Sequence, residues 1–227
     1  MKKLLTIFTT QKPEYKNTHH QENAFVYDDY YRSGIIDGWE DHDKAYNFSN
    51  LFKIFDKTKR PLRGASILDI GCGTGDILPY LWEKSVGQYV GTDIYKPALQ
   101  LARKKYPKEI FLFTDILKDE NLGRFDFVVS SGAMSIRLES VNNYDFLQAM
   151  VRKMWQLCRF GIAFNLLTDE DVAPASHLFY YSIEKVRAIC KKIAPDAKVS
   201  IRRTPINNGK GFEDEAQIHV YMTQIRS

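Results

Sequence analysis

The run Ser66-Ile67-Leu68-Asp69-Ile70-Gly71-Cys72-Gly73-Thr74-Gly75-Asp76 constrains the fold more than any other part of the chain. Ile67, Leu68 and Ile70 make a short apolar segment of the kind that a parallel sheet buries on both faces. Glycines then take every second position. Gly71, Gly73 and Gly75 admit positive φ and carry no Cβ, so backbone N–H groups can face a bound molecule where the next helix begins. That helix is expected over residues 76–84, because Ile77, Leu78, Leu81 and Trp82 share one helical face. A buried strand, a bare turn and a helix make a seat for a ligand.

The spacing Gly71-x-Gly73-x-Gly75 differs from the G-x-G-x-x-G of dinucleotide-binding turns. Asp76 stands where the third glycine of that fingerprint would fall. A carboxylate there repels a pyrophosphate but not a cationic sulfonium or ammonium ligand. Two further apolar segments also end in acids. Tyr89-Val90-Gly91-Thr92-Asp93-Ile94 puts Asp93 at the tip of a second strand, about twenty residues downstream, where a carboxylate accepts from both hydroxyls of a ribose. Ile110-Phe111-Leu112-Phe113-Thr114-Asp115-Ile116 repeats the pattern, and Asp115 is placed to accept from an adenine amino group.

Together these residues resemble the class I S-adenosylmethionine-dependent methyltransferases, over roughly residues 60 to 225. The family's first motif, an apolar strand followed by D-x-G-x-G-x-G, is matched by Asp69, Gly71, Gly73 and Gly75 without a gap. The resemblance implies an α/β fold: a doubly wound, mostly parallel seven-stranded sheet in the order 3-2-1-4-5-7-6, with helices on both faces and an N-terminal helical lid segment. It implies S-adenosylmethionine as cofactor and S-adenosylhomocysteine as product. By resemblance the cofactor contacts are Asp69, Gly71, Cys72, Gly73, Asp93, Ile94, Asp115, Ile116 and Ser130. Ser130 ends the fourth strand, Phe125 to Ser131, beside the reacting methyl group.

Length and composition fit this reading. A chain of 227 residues, 44% hydrophobic, is ordinary for one doubly wound unit. We expect an N-terminal extension or lid over 1–60 and the donor-binding domain over 61–227. No stretch approaches the roughly eighteen apolar residues of a membrane span. Met1 to Phe8 begins like a secretory signal, yet its apolar part is short and Gln11, Lys12 and Glu14 follow at once. Cys72, Cys158 and Cys190 show neither C-x-x-C pairing nor metal-ligand spacing, which suits reduced thiols in a cytoplasm and gives no metal site. The net charge is +4. Its clusters at Lys96–Lys108 and Lys185–Arg203 read as solvated helix faces, with a patch for nucleic acid or an anionic substrate as the alternative.

Tyr15, Phe25, Tyr27, Tyr30 and Tyr31 show little periodicity and read as a segment that orders on something else. A helix is expected from about His42 to Phe55, with Tyr46, Leu51, Ile54 and Phe55 inward. In similar methyltransferases such a segment lies over the cofactor. Arg32 is placed to clamp the methionine carboxylate, and Trp39 to pack on the cofactor or shut out water. Ordinary surface and packing roles are the alternative for both. After the fourth strand, Tyr144 to Leu157 reads as a core helix and Gly161 to Thr168 as a fifth strand. The loop Asp169–His177 opens at its end, where α/β sheets bind ligands.

Methyl transfer from a sulfonium needs chiefly an acceptor lone pair held in line and a dry site. A base is required only where the acceptor must lose a proton. His177 is the candidate, with Tyr181 beside it, and a structural histidine is the alternative. The other histidines, His219 among them, read as surface or packing groups. Ser130-Ser131-Gly132-Ala133 is not the D/N-P-P-Y/F of enzymes that methylate exocyclic base amines. No Pro-Cys element follows the fourth strand, which argues against cytosine-C5 chemistry. Methylation of an O or N atom of a small molecule is the expectation. RNA or protein acceptors, and a non-catalytic donor-binding partner subunit, are the alternatives. A nucleotide-dependent oxidoreductase would share the fold and Asp93 but needs the missing third glycine.

Overall fold

The computed structural model describes residues 28, 41–58, 60–168, 175–205 and 216–224. In chain order these form α1 (Asp41–Leu51), α2 (Lys53–Thr58), β1 (Ser66–Ile70), α3 (Leu78–Glu83), β2 (Gln88–Asp93), α4 (Lys96–Lys105), β3 (Ile110–Phe113), β4 (Phe125–Ser130), α5 (Asn143–Leu157), β5 (Cys158–Leu167), α6 (Ile183–Ile193), β6 (Lys198–Pro205) and β7 (Ala216–Thr223). The strands make one seven-stranded sheet in the order β3-β2-β1-β4-β5-β7-β6. Pairing is parallel from β3 through β5, and β7 runs antiparallel to both β5 and β6. The expected strand order is therefore the one observed, with an antiparallel edge at β7 and β6.

Alternation along each strand feeds two cores. Leu68, Val128, Ile162, Val220 and Met222 pack under α5 and α6. Ile67, Phe127, Val129, Ala163 and Tyr221 pack on the opposite face, under α1 to α4. Strands buried on both faces need nearly continuous apolar sequence, which is what β1, β4 and β5 have. Residues 41–58 share this second core, with Leu51 and Ile54 fully buried.

Some local expectations differ. The helix expected over His42 to Phe55 divides at Phe52, where the Phe55 N–H bonds only three residues back to the Phe52 carbonyl, 3.0 Å away. Tyr46 points outward at 36% exposure, and Phe48 is the buried aromatic instead. Trp82 is 51% exposed, its ring edge-on to Tyr106 and its Nε1 donating to Glu109 at 3.2 Å. Its indole N–H thus reaches a surface carboxylate, a partner that burial would remove. The Asn142 side chain caps α5 by accepting from the Tyr144 N–H at 2.8 Å.

Candidate active site

The carboxyl ends of β1, β2 and β4 open onto a cleft with an empty volume of about 700 Å³. Three parts of the chain build it. The turn after β1 gives Gly71, Cys72, Gly73, Asp76 and Ile77; β2 and the start of α4 give Asp93, Tyr95 and Ala98; Ser131 and Gly132 follow β4. A fourth wall comes from α1, through Lys44, Asn47 and Phe48.

All three glycines of the first turn have positive φ, and two of them line the cleft. Gly71 has φ +72°, and a Cβ there would lie 2.4 Å from the Ala133 Cβ. Its backbone is fixed besides, since the Gly71 and Cys72 N–H groups both donate to the Thr92 carbonyl, at 2.8 and 3.0 Å. Gly73 has φ +53°, but a Cβ there would meet nothing within 4 Å. One glycine lets two strands' ends close together; the other leaves the floor of the cleft bare.

Asp93 organises that floor. Its Oδ2 accepts from the Gly73 N–H and its Oδ1 from the Tyr95 N–H, both at 2.8 Å. Burial pushes its pKa above the usual carboxylate value, and the backbone N–H groups oppose the shift. An ionised carboxylate has about four lone-pair sites, so two remain for hydroxyls of a ligand. Asp69 lies deeper, 3% exposed, with Oδ2 accepting from the Tyr89 hydroxyl at 2.9 Å. Burial raises its pKa to about 7, against the Tyr89 hydrogen bond and with a smaller push from Asp93. Cys72 is buried beside them, its thiol held well above its usual range by burial and by the two acids.

Asp76 differs from its sequence reading. Its carboxylate is bridged by Lys44 at 2.7 Å and Lys105 at 2.6 Å. Burial works against ionisation, but the two ammonium groups outweigh it and hold the pKa at about 2. Asp76 is therefore a neutralised acid, and the preference for a cation that its sequence position suggested passes to Asp69 and Asp93. Among its consequences is an acid-labile link between α1 and the glycine turn.

The remaining expected residues are placed as follows. Ser130 is fully buried and spends its hydroxyl on the Ile70 carbonyl at 2.9 Å, so Ser131 and not Ser130 lines the cleft. This corrects the expectation by one residue, the shift that turns a strand residue to the other face. Ile94 is half-buried next to Asp93. Asp115 is half-buried at the end of β3, its Oδ1 accepting from the Leu117 N–H at 3.0 Å. Ile116 is buried, its side chain in the core that α5 covers. Tyr181 is also corrected: it is completely buried against Tyr144 and Phe179, and its hydroxyl donates to the Met134 carbonyl at 2.8 Å. No proton of a ligand can reach it there. His177 is exposed on a turn, its carbonyl accepting from the Arg137 N–H at 2.9 Å, and does not line the cleft. Arg32 and Trp39 lie outside the described residues. His219 is a packing residue, fully buried, with burial pushing its pKa down to about 3.

Lys44, Asn47 and Phe48 were not anticipated. Their i, i+3, i+4 spacing, which puts all three on one helical face, is a signal the sequence carried.

Residues 67–158 match the family model described as a methyltransferase domain. Over 90 residues the chain is 33% identical to an uncharacterized protein of Rickettsia prowazekii (strain Madrid E), a match that spans 37% of this chain and 36% of that relative's length. The backbone is similar to that of magnesium protoporphyrin IX methyltransferase (ChlM) from Synechocystis PCC 6803 with bound SAH, at TM-score 0.65 and 13% identity, over 90% of this chain and 100% of that one. It is similar also to the plantazolicin methyltransferase BpumL in complex with SAH, at TM-score 0.62 and 16% identity, over 91% and 96% of the two chains. The N-methyltransferase NodS from Bradyrhizobium japonicum WM9, likewise a complex with S-adenosyl-L-homocysteine, gives TM-score 0.60 at 14% identity, over 81% and 88%. At such identities the structural likeness is one of fold, and the match to the relative spans about a third of either chain. Residues 67–158 thus match a methyltransferase domain, set in a fold shared with S-adenosylmethionine-dependent methyltransferases.

Proposed function

We propose that the chain binds S-adenosylmethionine in this cleft and transfers its methyl group to an O or N atom of a small molecule. The observation that carries the reading is the bare Gly71–Gly73 turn bonded through the Gly73 N–H to Asp93. The cleft also fits the donor by its chemistry: a floor open at Gly73, lone pairs of Asp93 for a ribose, and Lys44 on the wall contributed by α1. When bound, the donor supplies a methyl carbon already activated by a sulfonium leaving group.

The protein's part is then placement. Asp93 holds the sugar, and Lys44 and Asn47 receive the amino-acid end. Phe48 closes the side against water, and Ser131 and Gly132 form the wall that an acceptor meets. Residues 1–60 act as the lid, an assignment supported by the Tyr95 hydroxyl donating to Asp28. His177 is proposed as the proton acceptor for hydroxyl substrates, because its loop pairs with the loop after β4 through the Ile136–Leu178 bridge at the same end of the sheet. A small-molecule acceptor is supported by the names of the structural neighbours, ChlM, BpumL and NodS. No described helix is long and apolar enough to cross a membrane. A cytoplasmic setting is supported by three buried free thiols.

Calorimetric titration should give binding of S-adenosylmethionine and S-adenosylhomocysteine and none of NAD. Labelled methyl should then pass into a component of a metabolite extract, more slowly for His177→Ala when the acceptor is a hydroxyl. NAD binding, or donor binding without transfer to any extract, would overturn the enzyme reading.

Asp69 adds a pH signature. Its proton is held to about pH 7 by burial, and a cation in the cleft favours the ionised form. Only the sulfonium distinguishes the donor's charge from that of its product. The donor's advantage over S-adenosylhomocysteine in dissociation constant should therefore grow by about threefold or more from pH 6 to pH 8. Asp69→Asn should flatten that growth, and a ratio independent of pH in the wild type would remove Asp69 from the role. For the empty fold the sign is opposite. A raised carboxyl pKa stabilises below the unfolded value near pH 4, and that stability is lost as pH rises through 7.

A further inference from the structure

Three amide side chains stand in single file beneath the cleft, from one wall to another. The Gly132 N–H donates to Asn165 Oδ1 at 2.8 Å, Asn165 Nδ2 donates to Gln217 Oε1 at 3.0 Å, and Gln217 Nε2 donates to Asn47 Oδ1. Asn47, Asn165 and Gln217 are 2%, 3% and 1% exposed. The ends of the file, Gly132 and Asn47, line the cleft, while Asn165 and Gln217 do not.

A primary amide presents nearly the same shape either way round, and its partners decide which end is which. Here the deciding partner is Gly132, because a backbone N–H can only donate. Asn165 must turn its oxygen to Gly132 and its NH₂ to Gln217. Gln217 in turn gives its oxygen to Asn165 and its NH₂ to Asn47, whose oxygen is thereby taken up inside the protein. Turning any one of them round would set donor against donor or oxygen against oxygen where water cannot intervene. The Asn47 Nδ2 makes no hydrogen bond among the described residues, and Asn47 lines the cleft. Lys44 lines the cleft one helical turn earlier. The Lys44 ammonium is shared with Asp76, which Lys105 also neutralises, so the three groups together carry one positive charge, and beside the donating amide this wall suits a carboxylate.

We infer that Asn165 and Gln217 are positioning residues that hold Asn47 with its NH₂ toward the cleft, where Asn47 and Lys44 receive the carboxylate of the bound donor's amino-acid arm. This rests on the methyl-donor reading of the cleft and adds to it two residues that touch no ligand.

Isosteric variants reverse the file. Asn165→Asp still accepts from Gly132 but has no N–H for Gln217, so Gln217 turns over, Asn47 follows, and an oxygen faces the cleft. Gln217→Glu forces the same reversal of Asn47. Gln217→Met, which buries no charge, frees Asn47 without reversing it. Each variant is first checked by its melting curve, and those that fold are titrated with S-adenosylhomocysteine and with methylthioadenosine, which lacks the amino-acid arm. The two carboxylate variants should weaken S-adenosylhomocysteine by about tenfold or more, and Gln217→Met by about threefold. All three should leave methylthioadenosine within about twofold, and should cost nothing further in an Asn47→Ala background. Equal losses for both ligands, no loss, or losses that add to that of Asn47→Ala would reduce the file to a structural support and overturn the inference. Failure of the wild type to bind either ligand is a separate outcome that removes the donor reading itself.

Discussion

Gly71→Ala and Gly73→Ala, two residues apart and chemically identical, are expected to fail in opposite ways. At Gly71 the new methyl would sit 2.4 Å from the Ala133 Cβ. Neither side can yield cheaply, because Gly71 is pinned to Thr92 by its N–H and the obstructing Cβ is bonded directly to backbone. Adding the strain of a positive φ, the cost should be about 3 kcal/mol or more. For a chain of this size that lowers the melting temperature by about 6–12 °C. At Gly73 the methyl meets no protein atom within 4 Å, and φ +53° lies in the left-handed region that an L-residue occupies at a cost of about 1 kcal/mol. The fold should lose only about 2–4 °C. On the proposed function the methyl stands in the space the donor needs, and the affinity for S-adenosylhomocysteine should fall by about 100-fold. Melting curves and titrations on both variants decide the matter. If Gly73→Ala bound as tightly as the wild type, the ligand would not approach the turn there; if Gly71→Ala melted with the wild type, the close contact with Ala133 would carry no weight.

The contrast between these glycines indicates what a sequence can disclose. That the turn is bare is plain from Gly71, Gly73 and Gly75, but which glycine faces protein and which faces ligand depends on Ala133, sixty-two positions away from Gly71. The sheet was legible for a related reason. Runs such as Ile67-Leu68 or Phe127-Val128-Val129 report burial on two faces without reference to a partner, and the acids that end β2 and follow β3 fall at the sheet's carboxyl edge. Asp93 was found in this way, and it does bond the glycine turn. Ser130 was misplaced because the pattern locates the strand end only to within a residue, and one residue exchanges the cleft for the core. Asp76 was read as a bare charge because its partners Lys44 and Lys105 come from two other helices. Asn165 and Gln217 gave no signal at all, since an amide inside an apolar strand announces only that some partner exists. The aromatic run around Tyr181 suggested a pocket, yet those rings pack edge-to-face on one another inside the core.

Asp93→Ala is the second large effect expected, and it should differ in kind from the loss caused by the amide file. In the wild type the carboxylate accepts from two backbone N–H groups, so removing it loosens the Gly73 turn and, on the proposed function, deletes the ribose contacts at one stroke. Two hydroxyl-to-carboxylate bonds lost amount to about 3 kcal/mol, or about 100-fold in dissociation constant. Asp93→Asn keeps one oxygen and presents an NH₂ to one of the two N–H groups, so about tenfold is expected there. Both ligands retain the ribose. Hence S-adenosylhomocysteine and methylthioadenosine should weaken together at Asp93, whereas reversal of Asn47 should weaken only the former. A loss at Asp93 confined to S-adenosylhomocysteine would mean that the acid grips the amino-acid end and that the donor lies the other way round in the cleft. Because Lys44 and Lys105 together outweigh Asp76 by one positive charge on the other wall, that reversed pose would set the carboxylate against Asp93 and Asp69, two acids in a partly dry site, which is the electrostatic reason to expect the common loss.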